Sequence, residues 1–116
     1  MATRLHTTVL DCPDPNALAD FYQALLGLER LESEEDWASV GPSQTDKRLG
    51  FQLAPEFSPP AWPGAGELQM HLDFWVDDVE TEHRRAIELG AKRLDASAPD
   101  FWVYADPAGH IFCLCW

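Results

Sequence analysis

The chain is poor in positive charge. Eight Lys and Arg stand against twenty Asp and Glu, a formal net charge of −12. Tracking a nucleic-acid backbone takes clustered cations, so the composition excludes a phosphate-following surface. An anionic membrane surface is disfavoured for the same reason. Cysteine is scarce and odd in number, and Cys12, Cys113 and Cys115 do not make a disulfide framework. No apolar run is long enough to span a membrane. No charged segment followed by an apolar one opens the chain, so no signal peptide is expected and the expected compartment is the cytosol.

What the chain does have is a core. Its 116 residues are 46% apolar and include five Trp, two Tyr and six Phe. That is the size of one ordinary domain and too aromatic for a solvated acidic tail. The negative charge by itself reads as solubility. Many of the acids have local work. Asp11, Asp14, Asp77, Asp78 and Glu80 flank expected helix starts, where carboxylates favour the dipole, and Ser33–Asp36 reads as a solvated loop.

The chain also repeats itself. Leu5-His6-Thr7-Thr8-Val9-Leu10-Asp11 matches Met70-His71-Leu72-Asp73-Phe74-Trp75-Val76-Asp77, and Leu26-Gly27-Leu28 matches Leu89-Gly90-Ala91. His6 and His71 stand 65 residues apart, Gly27 and Gly90 stand 63 apart, so two copies of one unit are expected. Each copy opens with an alternating strand, over 4–11 and 68–76. A helix follows in each. Asp14 caps the first, Pro15 takes its first turn, Leu18, Phe21, Tyr22, Leu25 and Leu26 form its apolar stripe, and Gly27 ends it. In the second, Asp77 is the expected cap with Glu80 three residues on. Val79, His83, Ala86 and Ile87 make the expected buried stripe, and Gly90 ends the helix. His83 reads as a satisfied structural histidine and His110 as exposed. Short strands complete each half, at about 28–32, 36–41 and 48–54, then 92–95, 101–105 and 110–116. Asp106-Pro107-Ala108-Gly109 marks the last turn. Residues 55–66 hold four prolines and two glycines and read as a linker between a first module, about 1–54, and a second, 67–116. Phe57 and Trp62 suggest that this linker packs down.

Strand–helix–three strands, twice in one short chain, resembles the vicinal oxygen chelate superfamily of glyoxalase I, bleomycin and fosfomycin resistance proteins and extradiol dioxygenases. The pieces that carry the resemblance are Leu5-His6-Thr7, Phe21-Tyr22…Leu26-Gly27, Met70-His71-Leu72-Asp73 and Asp106-Pro107-Ala108-Gly109-His110. Small bacterial glyoxalase-like domain proteins are the nearest kind. The resemblance implies an α+β fold: two βαβββ modules in a single domain, forming a curved mixed-sheet cup with helices on the outer face. It also implies a homodimer. In that superfamily a metal, when present, is held on the cup floor by the first and last strands of each module. Those positions fall on His6, Gln52, His71 and Cys113. Metal-using members carry glutamate at both last-strand positions, and this chain has neither.

Alternation gives its own view of that floor. With Leu5, Thr7 and Val9 on the helix side, His6, Thr8 and Leu10 point into the cup. His71, Asp73 and Trp75 do the same, as do Gly50 and Gln52, and Ile111, Cys113 and Cys115. Trp102 and Tyr104 stand on a strand whose phase the sequence does not fix. The expected ligand-lining set is thus His6, Thr8, Gln52, His71, Asp73, Trp75, Trp102, Tyr104 and Cys113. If the chain catalyses a reaction, Asp73 or His71 is the candidate acid–base group and Cys113 the candidate nucleophile.

Three functions compete. The first is binding of a small apolar or aromatic molecule in the cup without the usual metal and with no cofactor. The second is a divalent-metal lyase or isomerase of glyoxalase I type, with zinc, nickel, iron or manganese at His6, Gln52, His71 and Cys113. The third is drug sequestration of the bleomycin-binding type, for which an acidic chain suits a cationic drug. The partner in each is a small molecule, not a nucleic acid or a membrane.

Overall fold

A computed structural model describes residues 2–62 and 70–116. The chain divides into two compact units, Met1–Phe57 and Ser58–Trp116. Each is a βαβββ module. The first runs β1 (Thr8–Cys12), α1 (Pro15–Leu26), β2 (Glu29–Ser33), β3 (Trp37–Gly41) and β4 (Leu49–Leu53). The second runs β5 (Leu72–Trp75), α2 (Val79–Glu88), β6 (Lys92–Asp95), β7 (Phe101–Ala105) and β8 (Ile111–Cys115). Each sheet is mixed. The orders are β1-β4-β3-β2 and β5-β8-β7-β6, with the opening strand parallel to the closing one and the other pairs antiparallel. This is the expected α+β fold of two βαβββ units. Linker and strand positions 63–69 lie outside the described residues, and with them the expected strand residues Leu68 and Gln69.

The first helix forms where the sequence places it. Asp14 accepts from the Ala17 amide, and Gly27, at φ 66°, takes the left-handed conformation that closes the helix. Its buried side is Leu18, Phe21, Tyr22 and Leu25, with Tyr22 stacked on Phe51 of β4 at 5.7 Å. The second helix starts one residue later than expected. Asp78, not Asp77, accepts from the Thr81 amide and hydroxyl. Of its expected stripe Ala86 is buried, but Ile87 is 42% exposed, because a ten-residue helix buries little more than one turn against a short sheet. His110 is half-buried rather than exposed.

Phase decides which side chains share a face, and here β1 corrects the sequence. Partners in a parallel pair point the same way. Leu10 lies level with Phe51, and Phe51 packs on α1, so Thr8, Leu10 and Cys12 face the helix. Val9 and Asp11 are exposed on the other face. The expected inward orientation of Thr8 and Leu10 is therefore reversed. Thr7-Thr8-Val9-Leu10 can be read in either phase, and fully buried Cys12 is what sets it.

The two sheets share one pairing pattern level for level. Arg30, Val40, Leu49 and Thr8 lie side by side across the first, and Arg93, Tyr104, Phe112 and Leu72 across the second. An irregularity follows each arginine, before Glu32 and before Asp95. Counting from these levels, Gly50 corresponds to Cys113, Val9 to Asp73, Gln52 to Cys115 and Trp37 to Phe101. The counterpart of His71 is Thr7. The pairing of His6 with His71 read from the sequence is one residue out of register.

Candidate functional site

The face of the second sheet turned away from α2 gathers the polar chemistry. β5 sets Asp73 beside Cys113 and Trp75 beside Cys115. His71, immediately before β5, points its Nε2 at Asp73 Oδ1, 3.2 Å away. The ligand atoms of His71, Asp73 and Cys113 all lie within 4.8 Å of one another. These three line a cavity of about 270 Å³ with Trp75, Phe101 and Asp100, and Cys115 and Trp116 also border it. On the same face Val103, Ile111 and Cys113 form a small apolar cluster with Leu94, Ala105 and Cys115 packed on it.

The electrostatics of the cavity are negative. Burial, then the neighbouring charge of Asp73, pushes the Cys113 thiol up to about 12. Cys115 moves the same way, through burial first and then Asp73 and Asp100. Both therefore stand as neutral thiols at physiological pH, and neither is an activated nucleophile. The role expected for Cys113 as nucleophile finds no support in this setting. His71 and Asp73 are 45% and 62% exposed, so their pair is open to an incoming ligand.

Trp102 and Tyr104, expected to line the ligand site, sit on the other face. Tyr104 Oη lies 2.9 Å from His83 Nδ1 of α2 and its ring stacks on Phe112 at 5.2 Å. Trp102 meets His83 and Trp116 edge-on and carries Arg93 over its ring at 4.9 Å. Their phase is opposite to Phe101 and Val103, so they pack the helix. His83 is the satisfied structural histidine expected, and burial lowers its pKa.

In the first sheet the corresponding face is closed by an aromatic ring. The Trp37 indole lies over Gly50 so closely that a Cβ there would meet Cη2 at 2.3 Å. Glu32 fixes the indole. Its Oε1 accepts from Trp37 Nε1 and Ser39 Oγ and pairs with Lys47. Lys47 first, then Trp37 and Ser39, draw the Glu32 carboxyl down to about 2. Gln52 is exposed beside Trp37 on this face. His6 lines a different cavity of the first unit, about 550 Å³, with Arg4, Leu31, Glu32, Gln44 and Lys47.

The donor set can be tested against the metal that the superfamily resemblance implies. In the first sheet the counterparts of Cys113 and Asp73 are Gly50 and Val9, which offer no side-chain donor. The set His6, Gln52, His71 and Cys113 therefore does not occupy matching levels. In the second sheet, imidazole, carboxylate and thiol converge, and that trio fits a borderline divalent ion such as zinc. The sequence did not single out Asp100, Phe101 or Trp116, and it placed Cys115 on the cup face without including it in the ligand-lining set. Cys115 shares the period-two phase of Cys113, which was the available signal, whereas the phase of Phe101 is set only by its pairing with Cys115 across the sheet. Trp37, Glu32 and Ser39 converge only through the irregularity in β2, which leaves no mark in the sequence.

Comparison with known proteins agrees with the topology. A family model described as glyoxalase-like domain matches residues 7–115. A glyoxalase/bleomycin resistance protein/dioxygenase family enzyme from Burkholderia phytofirmans is similar at TM-score 0.73 and 19% identity, covering 97% of each chain. A protein from Agrobacterium tumefaciens is similar at TM-score 0.72 and 24% identity, covering 97% of this chain and 96% of that one. A fosfomycin resistance protein from Mesorhizobium loti is similar at TM-score 0.66 and 13% identity, covering 98% and 91%. At these identities the likeness shows the fold. No curated protein sequence matches the chain. Among the described residues no helix is long and apolar enough to cross a membrane.

Proposed function

The chain belongs to the glyoxalase-like domain family, and from that premise we propose that it binds a small molecule with an apolar or aromatic body and a cationic head. The observation that carries this reading is the composition of one cavity. Trp75, Phe101 and Trp116 supply rings, and Asp73 and Asp100 supply carboxylates. Rings bury a flat or apolar body, and a ring face also attracts a cation. At about 270 Å³ the cavity suits a ligand smaller than a drug. A cationic ligand is also what the sequestering alternative calls for. A homodimer in the cytosol belongs to the same proposal, and light scattering and cell fractionation check those two parts.

Titration of tryptophan fluorescence with benzylamine and with benzyl alcohol tests the reading. The two probes share a ring and differ in charge. The amine is expected to bind about tenfold tighter, the worth of one partly screened charge pair, and Trp75→Ala is expected to weaken both. Equal binding of the two probes, or none by either, defeats it.

The metal reading has its own support in the converging donors of His71, Asp73 and Cys113. Those three would hold the ion. When bound it would act as a Lewis acid on a ligand oxygen, the chemistry of a lyase or isomerase. Asp73 would keep the imidazole of His71 oriented, and the rings of Trp75 and Phe101 would limit access of water. Metal analysis of the purified chain, with His71→Ala as the comparison, checks this reading.

A further inference from the structure

Pairing across the second sheet sets three side chains in one row. Trp75 of β5 and Phe101 of β7 both lie level with Cys115 of β8, which runs between them. Partners at one level leave a sheet on the same side. All three border the cavity that holds Asp73, so the row stands on the helix-free face. Trp75 is 75% exposed and Phe101 40% exposed. Among the described residues no ring lies against either, whereas Phe74, Trp102, Tyr104, Phe112 and Trp116 each meet another ring. Adjacent strands are about 4.8 Å apart, so a third ring midway between Trp75 and Phe101 would lie about 4.8 Å from each, inside the range for aromatic pairs. Cys115, the smallest of the three side chains, stands under that midway position. The first module has no such row. The counterparts there are Asp11, Gln52 and Trp37, and the Trp37 ring lies over Gly50.

Asp73 stands two residues before Trp75 on β5. It is therefore one strand spacing and two residue rises from the middle of the row, about 8 Å along the diagonal. A charge-assisted hydrogen bond takes up about 2.8 Å of that. A cation held by Asp73 would then sit about 5 Å from the centre of a ring in the row. At about 1.5 Å per bond, a two-carbon arm spans that distance and a one-carbon arm falls short. We propose that Trp75 and Phe101 clamp one flat ring above Cys115 while Asp73 holds a cation two carbons away, so that the ligand class is a 2-arylethylamine. The proposal rests on the cationic-ligand reading above and adds to it what selects the body and the length of the arm.

Fluorescence titration of the full chain with a series of amines tests this. 2-Phenylethylamine is expected to bind about fivefold tighter than benzylamine or 4-phenylbutylamine. 2-Cyclohexylethylamine keeps the charge and the arm but has a puckered body that cannot stack. It is expected to bind at least about tenfold weaker than 2-phenylethylamine. These comparisons need no substitution. Phe101→Ala should remove the preference for the flat body, and Cys115→Leu, which fills the space between the rings, should do the same. Asp73→Asn should abolish the two-carbon optimum. Its loss in Asp100→Asn instead would put the cation at the wrong carboxylate and overturn the proposal. Equal binding of the flat and puckered amines, or no optimum at two carbons, also overturns it. If benzylamine still outbinds benzyl alcohol, the cationic-ligand reading stands. Equal binding of benzylamine and benzyl alcohol, or no binding by any probe, overturns both.

Discussion

Replacing Tyr104 by Phe separates a packing role from a ligand role. Tyr104 is fully buried, with its ring stacked on Phe112 at 5.2 Å and 8°. Burial pushes its phenol up to about 12, so it is a neutral hydroxyl at any working pH. Phe keeps the ring, the stack and the volume. It removes one oxygen, 2.9 Å from His83 Nδ1. A net hydrogen bond is worth about 0.5–1.5 kcal/mol, and an orphaned buried partner costs more. His83 is half-buried, so water can partly replace the lost partner. The expected destabilisation is about 1 kcal/mol, or about 4 °C in Tm for a chain of this size. Urea and thermal unfolding measure it, and a cycle with His83→Ala assigns the loss to the pair. Benzylamine affinity is expected to stay the same, because the ring faces α2. A stability change below about 0.3 kcal/mol, or a clear loss of probe affinity, would refute the placement of Tyr104 on the helix side.

Three other perturbations follow from the same geometry. The lowered pKa of His83 means the native state holds that proton less tightly than the unfolded chain. Stability should therefore fall as pH drops below the ordinary imidazole range of about 6.5, and Tm measured against pH should flatten there in His83→Gln. Glu32 works at lower pH. Its carboxyl is drawn down to about 2, so its contribution is complete above its ordinary range and is lost as pH falls through it towards 2. With the side chain 38% exposed, screening limits the loss in Glu32→Gln to about 1 kcal/mol, read by chemical unfolding at neutral pH. Gly50→Ala would put a methyl into the Trp37 ring. The ring must move, at about 1–3 kcal/mol, and a changed tryptophan emission would report the shift.

Much of the fold was legible because several local signals agree. Asp14, Pro15 and Gly27 bracket a helix whose stripe is apolar at helical spacing, and the repeat places a second copy after the linker. Every strand after the helices lies within a residue or two of its expected bounds. The misreadings have a common cause. Where neighbouring residues are equally plausible, only pairing across the sheet decides. Asp77 and Asp78 are both good caps. Thr8 and Val9 are both good strand residues, and the level of Leu10 with Phe51 settles which one faces the helix. The one-residue slip between His6 and His71 comes from the same source, since a sequence match has no access to the ladder. For the site, His71, Asp73, Trp75 and Cys113 do share a cavity. Gln52 and His6 belong to the first unit, while Trp102 and Tyr104 pack α2. Phe101 and Trp102 differ only by strand phase, and the sequence offers no reason to choose between two adjacent aromatics.

The central claim is that the helix-free face of the second sheet attracts cations through Asp73. The ratio of benzylamine to benzyl alcohol affinity, compared between the wild-type chain and Asp73→Asn, tests it most directly. Asn keeps the shape and removes the charge. The ratio is expected to fall by about tenfold toward unity while benzyl alcohol binding is unchanged. A ratio that survives the substitution would contradict it.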